Sequence, residues 1–187
     1  NLYELRDQLQ KEVNEIRDVI ERKSANLEAE LNKKKIVLST LTLEIINADK
    51  DHEEIFRDGK KVDFDFGEDK VSIDERALFS ASSMVYLKNA FRLALFEASC
   101  IDKSYIYPRF LLMDNVEDKG MQEDRSHIFQ REIIRVSSKI KVPHQIIFTT
   151  SMIDPELNDS SFCVGPYYND HNKTLQFMKT VDLLDLI

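Results

Sequence analysis

The first fifty residues contain neither glycine nor proline, and their apolar side chains recur at coiled-coil spacing. Steps of three, four and seven residues separate Leu2, Leu5, Leu9, Val13, Ile16, Ile20, Leu27, Leu31, Leu38, Leu41 and Ile45, with interruptions at Lys23 and Lys34. A helix of about 45 residues is close to 70 Å long, which is more than a small domain can cover. The pattern therefore predicts a projecting coiled-coil helix over residues 1–50, which needs a partner helix. That partner could be antiparallel and come from elsewhere in a longer chain.

Composition excludes several classes of protein. The chain has 187 residues and four glycines, no two of them close together, so it contains no GxxxxGK[ST] or GxGxxG phosphate loop. No run of about 18 apolar residues is present, which predicts no membrane span, and the N-terminus does not read as a signal peptide. The two cysteines, Cys100 and Cys163, form no metal or redox motif. We expect a reduced, cytoplasmic protein.

The net charge of −8 is concentrated in one segment. Residues 44–75 carry 12 acidic and 5 basic side chains, whereas residues 1–43 carry 8 of each. This is not the overall charge distribution of a nucleic-acid-binding protein. The neutral flanks could still contact DNA locally, for example through Lys33–Lys35, although a solvated helix face is the favoured interpretation of that cluster.

After the helix, the pattern changes to alternating strands and helices, which predicts an α/β fold. Residues 60–74 form a short β segment, in which Val62–Phe66 and Val71–Ile73 are candidate strands of a hairpin. The later predicted elements are a buried helix at residues 80–100, a buried parallel strand at 109–114, an amphipathic helix at 121–139 and a buried strand at 145–150. Weaker predictions are strands at 162–164 and 174–177, a turn at 169–172 and a short terminal helix or tail at 181–187.

One motif opens the predicted buried helix, and a second ends the predicted buried strand. Ser80 is a good N-cap, and Ser80–Ser83 leave the first helical N–H groups uncovered, which suits an anion site; a plain serine-rich cap is the alternative.

Four apolar residues followed by Asp114 form a Walker B pattern, in which the carboxylate can hold Mg²⁺. The alternative is that Asp114 caps a turn. Glu117 and Asp118 add charge that favours a nearby cation or basic partner, and Arg125 could form a salt bridge with either or contact a phosphate.

The strand at residues 145–150 ends in Thr149, Thr150 and Ser151. These hydroxyls should lie beside the carboxyl end of the preceding strand, where parallel α/β sheets bind ligands.

In order and spacing, these features resemble the C-terminal half of the ATPase head of SMC-like ABC ATPases. That group includes chromosome-condensation proteins, RecN and double-strand-break repair ATPases. The resemblance covers the whole chain as an arrangement, with residues 51–187 as the C-terminal lobe. It implies that the signature motif falls on Phe79–Ser83, so that Ser80, Ala81, Ser82 and Ser83 contact the γ-phosphate of ATP held by the opposite subunit. It also implies Mg²⁺ at Asp114.

The sequence departs from the family pattern at several positions. Asn115 stands where the catalytic glutamate is expected, so Glu117 or Asp118 replaces it or hydrolysis is slow. Thr150 or Ser151 stands at the place of the switch histidine, and Ala81 and Ser82 replace the signature glycines. No Walker A motif is present, so the chain needs an N-terminal lobe from the same or a second polypeptide.

The resemblance implies an ATPase whose heads engage as a homodimer around ATP and thereby move the coiled coil on DNA. Repair, chromosome organisation and phage defence all fit that activity. The alternative is a non-hydrolysing coiled-coil dimerisation or interaction module with a degenerate ATPase fold, which Asn115 and the absent histidine favour.

Overall fold

The longest element is helix α1, which spans Leu2–Ile46 and continues as a 3-10 turn at Asn47–Asp49. The structure is a computed structural model that describes residues 1–159, 161–165 and 171. Residues 2–33 of α1 are exposed throughout. Only the last turns are buried, through Leu38, Thr42, Ile45 and Ile46. The predicted long helix is therefore present, and its heptad positions lie open to solvent along most of its length.

Two short elements follow α1 and cover its base. Helix α2 spans Glu54–Asp58, and strands β1 (Val62–Asp65) and β2 (Lys70–Ile73) form the predicted hairpin. The strands are antiparallel, with Val62 opposite Ile73. The Ser39 hydroxyl of α1 accepts a hydrogen bond from the Val62 amide at 2.8 Å, which fixes the hairpin against the helix.

The central element is helix α3, which spans Ala81–Ile101 and is buried on most sides. Strand β3 (Phe110–Met113), helix α4 (Glu123–Lys139) and strand β4 (Gln145–Phe148) follow it. Strands β3 and β4 are parallel and in register from Phe110 opposite Gln145 to Met113 opposite Phe148. Helix α4 is the crossover that a parallel pair requires. The fold is thus mixed helix and sheet, with a long N-terminal helix and a small parallel sheet.

The prediction that both parallel strands are buried is wrong for one face of the sheet. Leu111 and Met113 point into the core, and Ile146 and Phe148 pack against it. On the other face Phe110, Leu112 and Ile147 are 44%, 60% and 41% exposed. A continuous apolar run is typical of a strand covered on both faces, but no element of residues 1–153 covers this second face.

Residues from Asp154 onward form a separate unit in the described chain. The predicted strand at residues 162–164 is absent there, because the Phe162 and Cys163 amides both donate to the Asp159 carbonyl in a local turn. The predictions for residues 174–177 and 181–187, and most of the turn predicted at 169–172, lie outside the described residues.

The backbone of Gly59, after α2, packs closely against Ile73 of the hairpin. A Cβ atom on Gly59 would lie 2.6 Å from both the Ile55 carbonyl oxygen and the Ile73 Cγ2 atom. We therefore expect Gly59→Ala to lower the free energy of unfolding by about 1–3 kcal/mol, because the hairpin must move to admit the methyl group. Urea denaturation measures this. Gly67→Ala, whose Cβ would meet only the Asp65 side chain, is the control and should cost clearly less. Equal losses would contradict the packing argument.

Glu97 is a buried carboxyl on α3. It faces Glu44 of α1 and Glu132, Arg135 and Lys139 of α4, and burial is the main cause that raises its pKa; Lys139 and Arg135 act in the opposite direction. The folded chain thus holds this proton more tightly than the unfolded chain. Protonated Glu97 therefore contributes to stability below its pKa in the unfolded chain, about 4.3. This contribution is lost as the pH rises through the pKa of Glu97 in the folded chain.

Glu97→Gln should therefore raise the melting temperature at pH 7, and the gain should shrink towards zero near pH 4. Thermal denaturation at both pH values measures it. Glu12→Gln, on the exposed face of α1, is the control and should show no such pH-dependent gain. A gain of equal size at both pH values would show that ionisation of Glu97 is not its cause.

Candidate functional site

The carboxyl ends of β3 and β4 bring the predicted Walker B and switch residues to one edge of the sheet. The Thr149 amide donates to the Met113 carbonyl at 3.0 Å, and the Val116 amide donates to the Thr149 carbonyl at 3.2 Å. These bonds extend the parallel ladder beyond the strands. Asp114 and Thr149 consequently lie side by side, as the strand pattern predicted.

Thr149 holds the Asp114 carboxylate in place. The Thr149 hydroxyl donates to Asp114 Oδ1 at 2.8 Å and accepts from the Asn115 amide at 2.7 Å. Asn115 has a φ of +56°, a left-handed conformation that asparagine tolerates better than most residues. The turn after β3 thereby exposes the Asp114 carboxylate at the sheet edge.

Glu117 is buried and already accepts several hydrogen bonds. It is 6% exposed, and its Oε1 atom accepts from the Ser151 hydroxyl at 2.8 Å and from the Ser151 amide. The side-chain amide of Asn115 also faces Glu117. With its nitrogen turned towards the carboxylate, that nitrogen lies 3.0 Å from Oε1 and 3.2 Å from Oε2 of Glu117. Three predicted site residues, Asn115, Glu117 and Ser151, thus form one hydrogen-bonded cluster.

The three neighbouring carboxylates accept hydrogen bonds from different donors. Asp114 turns to Thr149 and Glu117 turns to Ser151. Asp118 is exposed, accepts from the Lys119 amide at 2.8 Å and lies 3.7 Å from the Lys119 ammonium. Their mutual repulsion is relieved by separate donors. Of the cation or basic partner expected near these carboxylates, the structure shows a basic one, Lys119 beside Asp118, and Asp114 remains open to a cation.

The predicted signature residues form the N-terminus of α3 and differ in exposure. Ser80 is an exposed N-cap whose hydroxyl accepts from the Ser83 amide at 3.2 Å and lies 3.3 Å from the Ser82 hydroxyl. Ala81 is exposed and Ser82 is half-buried. Ser83 is buried and donates to Glu53 at 3.0 Å. Ser80, Ala81 and Ser82 are thus accessible to an external group, whereas Ser83 is not.

Arg125 pairs with a carboxylate that sequence analysis did not identify. It forms a buried bidentate ion pair with Asp49, in the 3-10 turn that continues α1, rather than a salt bridge with Glu117 or Asp118. Burial raises the pKa of the Asp49 carboxyl, while hydrogen bonds and charge from Arg125 and His52 act in the opposite direction. One signal for this pair was present in the sequence. A basic residue in the first turn of a helix opposes the helix dipole and so calls for a carboxylate partner.

Asn89 of α3 connects the helix to the loop after β3. Its side-chain nitrogen donates to the Val116 carbonyl at 3.2 Å, next to Glu117. The candidate residues therefore occupy two groups on neighbouring elements, the Asp114–Glu117–Ser151 edge and the α3 N-terminus.

The lysine cluster of α1 is only partly a solvated face. Lys33 pairs with Glu30 at 2.7 Å in the same helix. Lys34 donates to the Ser104 carbonyl at 2.7 Å and lies over the Tyr105 ring, so it anchors the loop after α3. Its amine is therefore already used within the chain.

Within residues 1–159 and 161–165, no group of three or more His, Cys, Asp or Glu side chains is arranged to hold a metal ion. An Mg²⁺ ion that takes one protein carboxylate and fills its remaining positions with phosphate oxygens and water does not need such a group. The exposed Asp114 carboxylate at the end of β3 fits that limited role. No helix in the same residues is long and apolar enough to cross a membrane.

Comparison with known proteins finds no match to a protein-family model, to a curated protein or to a solved structure. The resemblance to SMC-like ATPases consequently remains a prediction from the motifs and their order.

Thr149 provides a direct test of the ordered sheet edge. Thr149→Val keeps the side-chain shape but removes the hydroxyl that bonds Asp114 and the Asn115 amide. We expect a loss of about 1–2 kcal/mol in unfolding free energy, measured by urea denaturation. Thr40→Val is the matched control, because the exposed Thr40 hydroxyl donates only to the Ile36 carbonyl of its own helix, and should stay within about 0.5 kcal/mol. Equal losses for both variants would rule out the special role of Thr149.

Proposed function

We propose that the chain is the C-terminal lobe of an SMC-like ATPase head, which binds and hydrolyses ATP together with an N-terminal lobe of the same or a second polypeptide. The observation that carries this proposal is the edge of the parallel sheet. There an exposed Asp114 follows one strand, and Glu117 is hydrogen-bonded to Ser151 after the next. Glu117 is a candidate for the catalytic carboxylate, and Ser151 stands at the position that the resemblance gives to the switch residue.

The exposed face of the sheet supports the requirement for a second lobe. Two-stranded parallel sheets are not normally independent structures, and parallel sheets are usually covered on both faces. Here Phe110, Leu112 and Ile147 are left uncovered within residues 1–153. A groove of about 360 Å³ also lies along β3, lined by apolar residues such as Leu112, Phe64 and Phe91 and by charged residues such as Lys88, Arg92 and Asp114. A further strand and helix would bury these surfaces, and an N-terminal lobe that carries the phosphate loop would supply them.

Each candidate residue has a distinct role in this proposal. A bound Mg²⁺ ion neutralises phosphate charge, and Asp114 would hold it directly or through water. Thr149 keeps the Asp114 carboxylate pointed out of the sheet edge. Either Glu117, oriented by Ser151, or the exposed Asp118 accepts the proton of the attacking water. Glu117 must first release one of its donors, which is a physical reason for slow hydrolysis.

The accessible serines of α3 fit a role in the opposite active site. Ser80 and Ser82 present hydroxyls at a helix N-terminus, where the aligned peptide dipoles favour a negative group. They do not lie in the Asp114–Ser151 cluster, so we infer that they complete the site of a second head. This gives a homodimer of heads closed around ATP.

The long helix gives such closure a mechanical output. Helix α1 projects from the head with an apolar seam that includes Leu9, Val13, Ile16 and Ile20 exposed along it. A partner helix would bury that seam as a coiled coil. Head engagement would then move the coil and alter its grip on DNA in the cytoplasm, in repair, chromosome organisation or phage defence. Because residues 44–75 are strongly acidic, we expect DNA on the neutral coil or the lobe rather than at the junction.

A second candidate function is a non-hydrolysing dimerisation module. The saturated Glu117 and the Asn115 at the catalytic position favour it specifically. In this alternative the heads pair without consuming ATP.

Asp114→Asn in the full-length protein tests the proposed ATPase. We expect Mg²⁺-dependent ATP turnover to fall at least about 100-fold, because the amide cannot balance the charge of the ion, while the fold is kept. Phosphate release measures turnover. Asp58→Asn is the control, since Asp58 is an exposed carboxylate of α2 that pairs only with Arg57, and its turnover should be unchanged. Unchanged turnover in Asp114→Asn would refute the proposal. A wild-type protein that dimerises but hydrolyses no ATP would establish the second candidate.

A further inference from the structure

Arg125 lies where three helices meet and uses its whole guanidinium group. Its Nε atom donates to Asp49 Oδ1 and Oδ2 at 3.1 and 2.9 Å, and its Nη2 atom also donates to Asp49. Its Nη1 atom donates to the hydroxyls of Ser82 and Ser83 at 3.2 and 3.3 Å. Arg125 is 4% exposed and Asp49 is fully buried. One side chain of α4 thus holds both the end of α1 and the first turn of α3.

Neighbouring contacts enclose this ion pair. The Arg125 guanidinium lies 5.5 Å from the centre of the Tyr86 ring on α3. His52 lies between Asp49 and Asp124, with ring nitrogens 2.8 and 2.9 Å from their carboxylates. Glu53 accepts from the Ser83 hydroxyl and pairs with Arg76 at 3.1 Å. The surroundings leave the group little freedom to adopt another arrangement.

The three serines lead from the surface to this buried pair. Ser80 is exposed, Ser82 is half-buried and Ser83 is buried. The Ser82 hydroxyl touches both ends of the path, because it lies 3.3 Å from the Ser80 hydroxyl and 3.2 Å from Arg125 Nη1. A group that draws the Ser82 hydroxyl outward removes an acceptor from a buried arginine. Such an arginine must then find another acceptor or move.

We propose that Arg125 is a positioning residue that couples the first turn of α3 to the end of α1, so that displacement of Ser82 is transmitted to Asp49 and the base of the long helix. The geometry requires arginine in particular. A planar fork can hold a carboxylate on one side and two hydroxyls on the other, whereas a lysine ammonium is a single point charge.

The identity of the group that displaces Ser82 rests on the proposed function. In that setting it is the terminal phosphate of ATP bound to the opposite head. The coupling between α3 and α1 is a separate statement that holds in the absence of any nucleotide, so the two can fail independently.

Arg125→Lys in the full-length protein tests the coupling itself. Lysine keeps the charge opposite Asp49, so the fold should survive, but it cannot also hold Ser82. Without nucleotide, we expect hydrogen–deuterium exchange to rise at least about tenfold in residues 80–88 and also in residues 42–50. Exchange in the β1–β2 hairpin should stay unchanged. Arg57→Gln, which removes an exposed arginine of α2, is the control and should change neither segment.

A rise confined to one of the two segments, or no rise in either, would overturn the proposal. If Arg125→Lys fails to fold, the double variant Asp49→Asn/Arg125→Gln replaces it, because removing both charges leaves no unpaired buried ion. The same exchange pattern is expected and the same outcomes refute it.

A second measurement distinguishes positioning from a merely structural contact. In the wild-type protein, a non-hydrolysable ATP analogue with Mg²⁺ should change exchange in residues 42–50. Arg125→Lys should bind the analogue with a dissociation constant within about threefold of the wild type but lose that change. Retention of the change overturns the proposal. If the wild-type protein binds no nucleotide, the proposed function fails, and the nucleotide-free experiment alone decides the coupling.

Discussion

The structure depends on how a helix of 45 residues is held by its last three turns. The buried side chains of α1 are Leu38, Ser39, Thr42, Ile45 and Ile46, and the helix packs chiefly against α3. All of the helix before residue 34 lies outside that core. Any rotation of the buried turns is therefore amplified along a lever of roughly 50 Å at 1.5 Å per residue. Small adjustments at the base of α1 become large displacements at its far end.

The elements with local sequence signals could be predicted. Helix α1, the β1–β2 hairpin and the β3–α4–β4 order follow from periodicity, and their bounds differ from the expected ones by only a few residues. The N-cap at Ser80 and the alignment of Asp114 with Thr149 follow from the same local rules. Such features depend on neighbours in sequence or on the register of one strand pair.

The features that could not be predicted depend on distant partners. Asp49 and Arg125 are 76 positions apart, and nothing in the spacing of either residue identifies the other. The exposed face of β3 could not be predicted, because an apolar run indicates only that both faces of a strand suit burial. It does not indicate whether this chain or another one packs on the second face. The strand predicted at residues 162–164 is wrong for a local reason. The amides of Phe162 and Cys163 donate to the nearby Asp159 carbonyl and are therefore not available to a sheet.

The hydrogen bonds that order the sheet edge also limit its chemistry. Glu117 already accepts from Ser151 and faces the Asn115 amide, so a water molecule can reach its oxygens only after one donor withdraws. The exposed Ser151 hydroxyl, in the loop after β4, is one such donor, and the Ser151 amide would still orient Glu117 after the hydroxyl withdraws. In the proposed ATPase, a second lobe packed on the exposed face of the sheet would shift this loop and free Glu117. On that proposal the exposed sheet face and the fully hydrogen-bonded Glu117 have one explanation, because the lobe that buries the sheet would also make Glu117 available to water.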